Sequence, residues 1–327
     1  MLRRVRDLRA GFGLVAALRT IPPGTPVHLD LPTWATSLAV RLIARRHEVF
    51  ITWHTPMSVP SPLRRSWLLA KHRWVGRSRR VHILGATATA RSDASIWFGR
   101  PLEAIPIVIA GYDRLEIDRA ATIPSVDIER WGLSPEIPTV VGVGVLTERK
   151  GVDVALRAVA HLRSRDVPVQ LLWIGGGPDG PGLDCLRREL GLETSTALVR
   201  PGDLHPNRLQ MLSLIGAASV YVQPSRVDGM PLAAIEALAS SVPTVVTPVG
   251  AMGELIDPTG DGSHEAVIVV PVDDVEALAD AVALVLGDPI RARRMQLMAP
   301  RRVVDMEMGP VVRDLFKRYA AANRRRT

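Results

Sequence analysis

From Thr139 onward the chain alternates short apolar runs, rich in β-branched residues, with stretches of helical spacing. The runs VVGVGVL, VQLLWIGG, ALVRPG, SVYVQP, PTVVTP and AVIVVP predict strands. Between and after them, the spacing predicts helices over 152–165, 183–190, 207–215, 231–240 and 275–286, with Pro231 suited to a first helical turn. Strands that are apolar throughout, rather than alternating, belong to a parallel sheet covered on both faces. The first part is less regular. PVHLDLP, EVFITWH, VHILGA and PIVIAG predict strands, with a helix over 35–45. The opening MLRRVRDLRAGFGLVAALRT predicts an amphipathic helix, and the polar, proline-bearing stretch 114–138 a connection between two α/β domains.

Composition narrows the classes. The 327 residues suffice for two domains of ordinary size. With 47% hydrophobic and 23% charged residues the chain can bury real cores, and 4% aromatics argue against an aromatic-rich β-sandwich. A single cysteine, Cys185, excludes an internal disulfide and a cysteine-rich zinc site, and suits a cytoplasmic setting. The net charge of +8 is carried mostly by arginine, since Lys71, Lys150 and Lys317 are the lysines. Such a surface suits phosphorylated substrates or anionic lipid; no recognised nucleic-acid module surrounds it, so nucleic acid is not expected. No stretch has the length of a membrane span, and the opening lacks a signal-peptide cleavage site.

In open parallel sheets ligands bind at the carboxyl ends of strands, so the residues just after each strand hold the chemistry. After VVGVGVL comes TERKG with Lys150, and after SVYVQP comes SRVDGMPLAAIE. There Asp228 precedes a Gly229 turn, Pro231 opens a helix and Glu236 lies within it. The backbone N–H groups at that helix start would face an anion such as a diphosphate. Glu236 would accept two hydrogen bonds from a ribose diol, Asp228 would accept from sugar hydroxyls, and Lys150 would supply a point charge to phosphate. Together they describe a site for a nucleoside diphosphate sugar. Gly142 and Gly144 form a lone G-x-G, which signals close packing rather than a dinucleotide loop.

The segment VDGMPLAAIEALASSVPTVVTPVGAMGELI resembles the nucleotide-sugar site of family 4 retaining glycosyltransferases, also called glycosyl transferases group 1. Its acidic residue, seven intervening residues and glutamate are followed by an alanine-rich helix, a proline-containing strand and a Gly-rich turn ending in Glu-Leu. VGVLTERKG, IGGGP and VYVQPS extend the resemblance in order. It implies a GT-B fold, two Rossmann-like domains facing a cleft. It implies that Lys150 contacts donor phosphates, Glu236 the ribose, Asp228 the transferred sugar, and the backbone of Gly229, Met230, Pro231 and Leu232 the diphosphate. FITWHTP resembles the family strand whose terminal histidine approaches the donor sugar, here His54. The resemblance implies retention at the anomeric carbon and no metal or other cofactor. Three domains follow: a shortened first domain over 1–120, a nucleotide-sugar domain over 121–305 and a last helical segment over 306–327 returning to the first domain.

Three departures qualify the resemblance. Val145 stands where the family carries an arginine, so one phosphate charge is missing unless Arg149 or Arg226 supplies it. Asp228 replaces the commoner glutamate. The family's opening strand, Gly-rich loop and helix have no counterpart, since Gly11-Phe12-Gly13 follows no strand. The leading expectation is a glycosyltransferase acting on a glycan or lipid-linked acceptor; the alternatives are a catalytically impaired partner of the same fold, and an epimerase. Residues 61–80 carry seven arginines and lysines and no acidic residue, with Leu63, Trp67, Ala70 and Trp74 on one helical face. That stripe faces either the core or an anionic membrane, the second reading placing basic residues from Arg64 to Arg80 at the inner face of the plasma membrane.

Overall fold

The computed structural model describes residues 16–324 except 17, 19, 31–36, 55–60, 109–110, 125, 204–206, 251 and 254–265. The opening helix, Gly11-Phe12-Gly13, the Glu-Leu of the Gly-rich turn and the last arginines expected above lie largely or wholly outside these residues. The chain divides into two compact units: Met1–Ala110 with Gly309–Thr327, and Gly111–Met308.

In the first unit β1 (Val27–Asp30), β2 (Val49–Trp53) and β3 (Val81–Gly85) form a parallel sheet in that order. Helices α1 (Ser37–Ile43), α2 (Pro62–Gly76) and α3 (Ala88–Phe98) connect and follow them. Odd-numbered positions of β2 and β3, among them Val49, Ile51, Trp53, Val81 and Ile83, join Leu68, Val75, Ala90 and Trp97 in one core. Even-numbered Phe50 and Leu84 face the other way and meet α11 (Met308–Arg324) through Leu315, Tyr319 and Ala322. PIVIAG, expected as a strand, is represented by a bridge from Ile107 to Gly85; its residues 109 and 110 are not described.

The second unit holds a six-stranded sheet of order β6-β5-β4-β7-β8-β9, every pair parallel. The strands are β4 (Thr139–Val143), β5 (Gln170–Ile174), β6 (Thr196–Val199), β7 (Val220–Gln223), β8 (Thr244–Val246) and β9 (Val267–Val269). Helices α5 (Val152–Ser164), α6 (Gly180–Glu189), α7 (Asn207–Gly216), α8 (Leu232–Ala239), α9 (Val275–Gly287) and α10 (Pro289–Arg302) accompany it. β5 is buried at all its positions and β7 likewise, which explains their uniform apolarity. Helix α5 turns Val152, Ala155, Leu156, Val159 and Leu162 inward at helical spacing. At Gly142 an added Cβ would lie 2.4 Å from the Trp173 ring, so the glycine does serve close packing.

The unit boundary departs from the expected 120/121. Residues 114–122 form α4 (Arg114–Thr122), whose N-terminus is capped by the Asp113 carboxylate accepting from Leu115 and Glu116. Ile117 and Ala120 are buried, and the helix packs on α7 within the second unit. The short stretch before α4 is fastened too: Tyr112 N–H donates to Met306 O at 3.0 Å and Met308 N–H to Tyr112 O at 2.9 Å. The polar character that suggested a linker belongs to the outer face of this helix.

Candidate functional site

The strand order of the second unit reverses between β4 and β7, which are hydrogen-bonded neighbours with their successors on opposite sides. That switch point opens a crevice at the carboxyl ends, and it brings together Lys150, after β4, and Asp228, after β7. Lys150 Nζ donates to Asp228 Oδ2 at 2.5 Å, and both side chains are buried. The same oxygen accepts from Gln223 Nε2 at 3.0 Å and Ser225 Oγ at 3.3 Å, while Oδ1 accepts from Gly229 N–H at 2.9 Å. Tyr221 OH in turn donates to Gln223 Oε1 at 2.8 Å. A buried, mutually satisfied network fixes the carboxylate in one orientation. Burial, with the Glu236 and Asp228 charges added, pushes the Tyr221 hydroxyl far above its ordinary pKa, so it stays a donor.

The loop bearing Lys150 is braced by Arg226. Its guanidinium grips Asp153 at 2.8 and 2.7 Å, Asp273 at 2.6 Å and the Glu148 carbonyl at 2.6 Å. The Asp153 hydrogen bond leads the causes that raise the Arg226 pKa, so this cation is fixed and committed. On Asp153, burial works upward but the Arg226 bonds prevail and hold the carboxyl below its ordinary value. Of the two arginines expected to replace the one missing at Val145, Arg226 is therefore occupied. Arg149 remains half-exposed, with Nη1 3.8 Å from Asp228 Oδ1. Val145 itself is 47% exposed.

Helix α8 begins at Leu232, with Pro231 in the capping position rather than in the first turn. Two of the expected anion donors are engaged: Gly229 N–H by Asp228, and Leu232 N–H by the Met230 carbonyl at 3.0 Å. The N–H groups of Met230 and Ala233 stand at the helix start without a described acceptor; Ala233 is not distinguished by the sequence pattern. Gly250, at φ +59°, closes against this turn, and a Cβ there would lie 2.2 Å from the Asp228 carbonyl oxygen. Glu236, buried in α8, accepts from Arg208 Nη2 at 2.6 Å through Oε1, and Oε2 has no partner among the described residues. Burial raises its pKa against the opposing pull of Arg208. Arg208, on α7, also donates to Glu116 of α4 at 3.1 Å. Arg208, Glu116, Gln223 and Ser225 escape sequence reasoning. A polar residue at the end of an apolar strand, as Gln223 is, was the one available signal.

His54 follows the carboxyl end of β2 in the first unit. The helix predicted around Trp67 exists as α2, but its stripe is not core-facing. Leu63, Trp67 and Trp74 are 86%, 52% and 40% exposed, Ala70 is exposed too, and α2 buries Leu68, His72 and Val75 instead.

Residues 137–288 match the family model for glycosyl transferases group 1. A D-inositol 3-phosphate glycosyltransferase from Nocardia farcinica is 31% identical over 66% of this chain and 50% of its own length. A GDP-mannose-dependent alpha-(1-6)-phosphatidylinositol monomannoside mannosyltransferase from Mycolicibacterium smegmatis is 29% identical over 83% of this chain and 67% of its own. The chain spans about half the length of several curated relatives it matches. Among solved structures, a glycosyltransferase from Rickettsia africae superposes with a TM-score of 0.75 at 14% identity, covering 97% of this chain and 81% of that one. The α/β architecture with parallel sheets is thus shared with glycosyltransferases, as the GT-B resemblance implied, and the match to the glycosyl transferases group 1 model lies within the second unit.

Proposed function

We propose that the chain transfers a sugar from a nucleoside diphosphate sugar to a hydroxyl of a glycan or lipid-linked acceptor, with retention at the anomeric carbon. The observation that carries this is the Lys150–Asp228 pair at the switch point, with buried Glu236 in the helix behind it. An arriving diphosphate takes Lys150 from Asp228, and Arg149 with the N–H groups of Met230 and Ala233 adds to the positive field. Asp228, held by Gln223 and Ser225, is released to accept from sugar hydroxyls. Oε2 of Glu236 accepts from the ribose. The bond from the anomeric carbon to the phosphate oxygen breaks, its electron pair leaving with the diphosphate, which these donors stabilise. The acceptor oxygen forms the new bond, and its proton passes to the departing diphosphate oxygen. This scheme requires neither metal nor other cofactor. For His54, a role towards the donor sugar rests on the resemblance of its segment.

The lipid-linked alternative among acceptors is supported by α2. Its exposed Leu63, Trp67 and Trp74 lie among Arg64, Arg65, Lys71 and Arg73, a composition suited to an anionic bilayer surface. Among the described residues no helix is long and apolar enough to cross a membrane. The relative acting on a phosphatidylinositol monomannoside points the same way. A protein at the cytoplasmic face of a membrane fits both.

The test is release of free nucleotide from a panel of UDP-, GDP- and ADP-sugars incubated with membrane extract, using Asp228→Asn as the control. Release from one donor that the substitution abolishes supports the proposal. Exposed, uncharged Val145 favours a second reading, a binding partner without turnover; a bound nucleotide with no release from any donor would establish it.

A further inference from the structure

The sheet of the first unit carries a second, separate constellation beside the face that meets α11. β1 to β3 are parallel, and parallel sheets are ordinarily buried on both sides. Here the face opposite the main core meets α11 over Phe50 and Leu84, and the other positions on it are polar: His28, Thr52 and His82. His28 hydrogen-bonds Thr52 and Tyr319 of α11, and Thr52, Phe50 and Leu84 are buried, so of the described polar positions His82 is left half-buried towards the edge of this face. At the amino ends of β2 and β3 the face opens into a cavity of about 900 Å³, within the range of small-molecule sites, roughly 300–1,000 Å³.

Four arginines line this cavity, Arg79, Arg80, Arg100 and Arg318, together with His82 and one carboxylate, Glu48. Three of the four are fixed by bonds that leave further guanidinium N–H groups available. Arg80 Nη1 donates to the Arg45 carbonyl at 2.7 Å, Arg100 Nη2 to the Ser78 carbonyl at 2.9 Å, and Arg318 Nε to Asp314 at 2.7 Å. Arg79 is exposed and makes no hydrogen bond or ion pair among the described residues. Glu48 is satisfied by His82 Nε2 at 2.8 Å, with Arg80 Nε at 3.8 Å, and the His82 ring lies stacked on Phe50 at 4.5 Å. The lining thus presents an excess of preoriented guanidinium donors around a ring-faced floor.

From this we infer a binding site for a phosphate monoester, its phosphate held by Arg79, Arg100 and Arg318 and its organic part set against the His82–Phe50 stack. Fixed guanidinium forks match phosphate oxygens in geometry and charge, and a lone carboxylate already paired leaves little to repel a dianion. The site is distinct from His54, which follows β2 at its other end, about 17 Å along a five-residue strand. It also lies in a different unit from Lys150 and Asp228, so it does not depend on the proposed donor chemistry. A soluble sugar phosphate and the headgroup of phosphatidic acid share the recognised monoester, and the experiment separates them.

Calorimetric titration of the full chain with a hexose 6-phosphate provides the first arm, and the excess co-sedimentation with phosphatidylcholine vesicles containing phosphatidic acid over vesicles with phosphatidylglycerol, which engage α2 alone, the second. Each is run on wild type, Lys150→Ala and the double variant Arg79→Ala/Arg318→Ala, whose surface positions leave the core untouched. The expected result is binding in at least one arm that survives Lys150→Ala and is weakened at least tenfold by the double variant; the arm in which it occurs names the source. Binding that Lys150→Ala abolishes, binding indifferent to the double variant, or no binding in either arm overturns the inference. Equal thermal midpoints of wild type and double variant confirm that a loss reports the site.

Discussion

The two sheets make a useful contrast. The six strands of the second unit are apolar along most of their length, and helices sandwich them, so polar function is confined to their carboxyl ends. The sheet of the first unit packs one face on its main core and sets His28, Thr52 and His82 among Phe50 and Leu84 on the other, where α11 lies and a cavity opens beside it. In the first arrangement burial concentrates a few charges, Lys150, Asp228 and Glu236, where desolvation makes each consequential. In the second, several solvated arginines share the work. The lesson is that one parallel β-α-β plan yields either a point-like or a distributed site, according to whether charges gather at the carboxyl ends of buried strands or converge from separate surface segments.

The contrast can be broken most forcefully at the concentrated site. Lys150→Ala should lower transfer by about a hundred- to a thousandfold, as loss of one preoriented donor to a developing anion does, read as initial rates of nucleotide release. A loss of only a few-fold would mean that Arg149 and the helix start already suffice. Next in size is a packing test. Gly142→Ala forces a methyl group onto the Trp173 ring, and overpacking of this kind costs about 1–3 kcal/mol. Denaturant unfolding followed by tryptophan fluorescence should show it. A neutral effect would mean that the β4–β5 layer is looser than the sheet geometry indicates.

A smaller effect concerns α2. Trp67→Ser with Trp74→Ser should weaken co-sedimentation with anionic vesicles about tenfold, the signature of lost interfacial anchoring, with little change in the thermal midpoint because both rings are exposed. Unchanged sedimentation would remove the membrane from the proposal. The smallest is a pH effect. Burial raises the Glu236 pKa above the ordinary 4.5, so the folded state binds that proton more tightly than the unfolded chain does. Its contribution is fully present below the unfolded value and is lost as pH rises through the folded one. The stability of Glu236→Gln relative to wild type should therefore increase with pH over that window. A flat difference would mean that Arg208 fully offsets the burial.

How much was legible follows from the same contrast. β4 to β7 could be read from apolar runs; Lys150 and Asp228 stood out because they follow such runs, and Glu236 through its spacing from Asp228 in the segment that carries the resemblance. Their orienting partners did not. Arg208 meets Glu236 from 28 positions away and Glu116 from 92, separations on which local periodicity is silent. In α2 the helical pattern offers two plausible stripes, Leu63-Trp67-Trp74 and Leu68-His72-Val75. Size and aromaticity favoured the first as core, whereas the sheet selects the second. The arginines of the first unit come from three separate segments, the turn before β3, the end of α3 and α11, so their convergence on one cavity is a property of topology alone. The helix at 114–122 was obscured for a related reason: with only Ile117 and Ala120 buried, it looks like a solvated connection.

The central claim is that the carboxyl ends of β4 and β7 form a nucleotide site, and calorimetric titration with UDP, GDP and ADP tests it most directly. The account predicts that at least one nucleotide binds and that Glu236→Ala weakens it at least tenfold while the circular dichroism spectrum at the titration temperature stays that of the folded protein. Nucleotide binding that Glu236→Ala leaves unchanged, or no binding of any of the three, would contradict it.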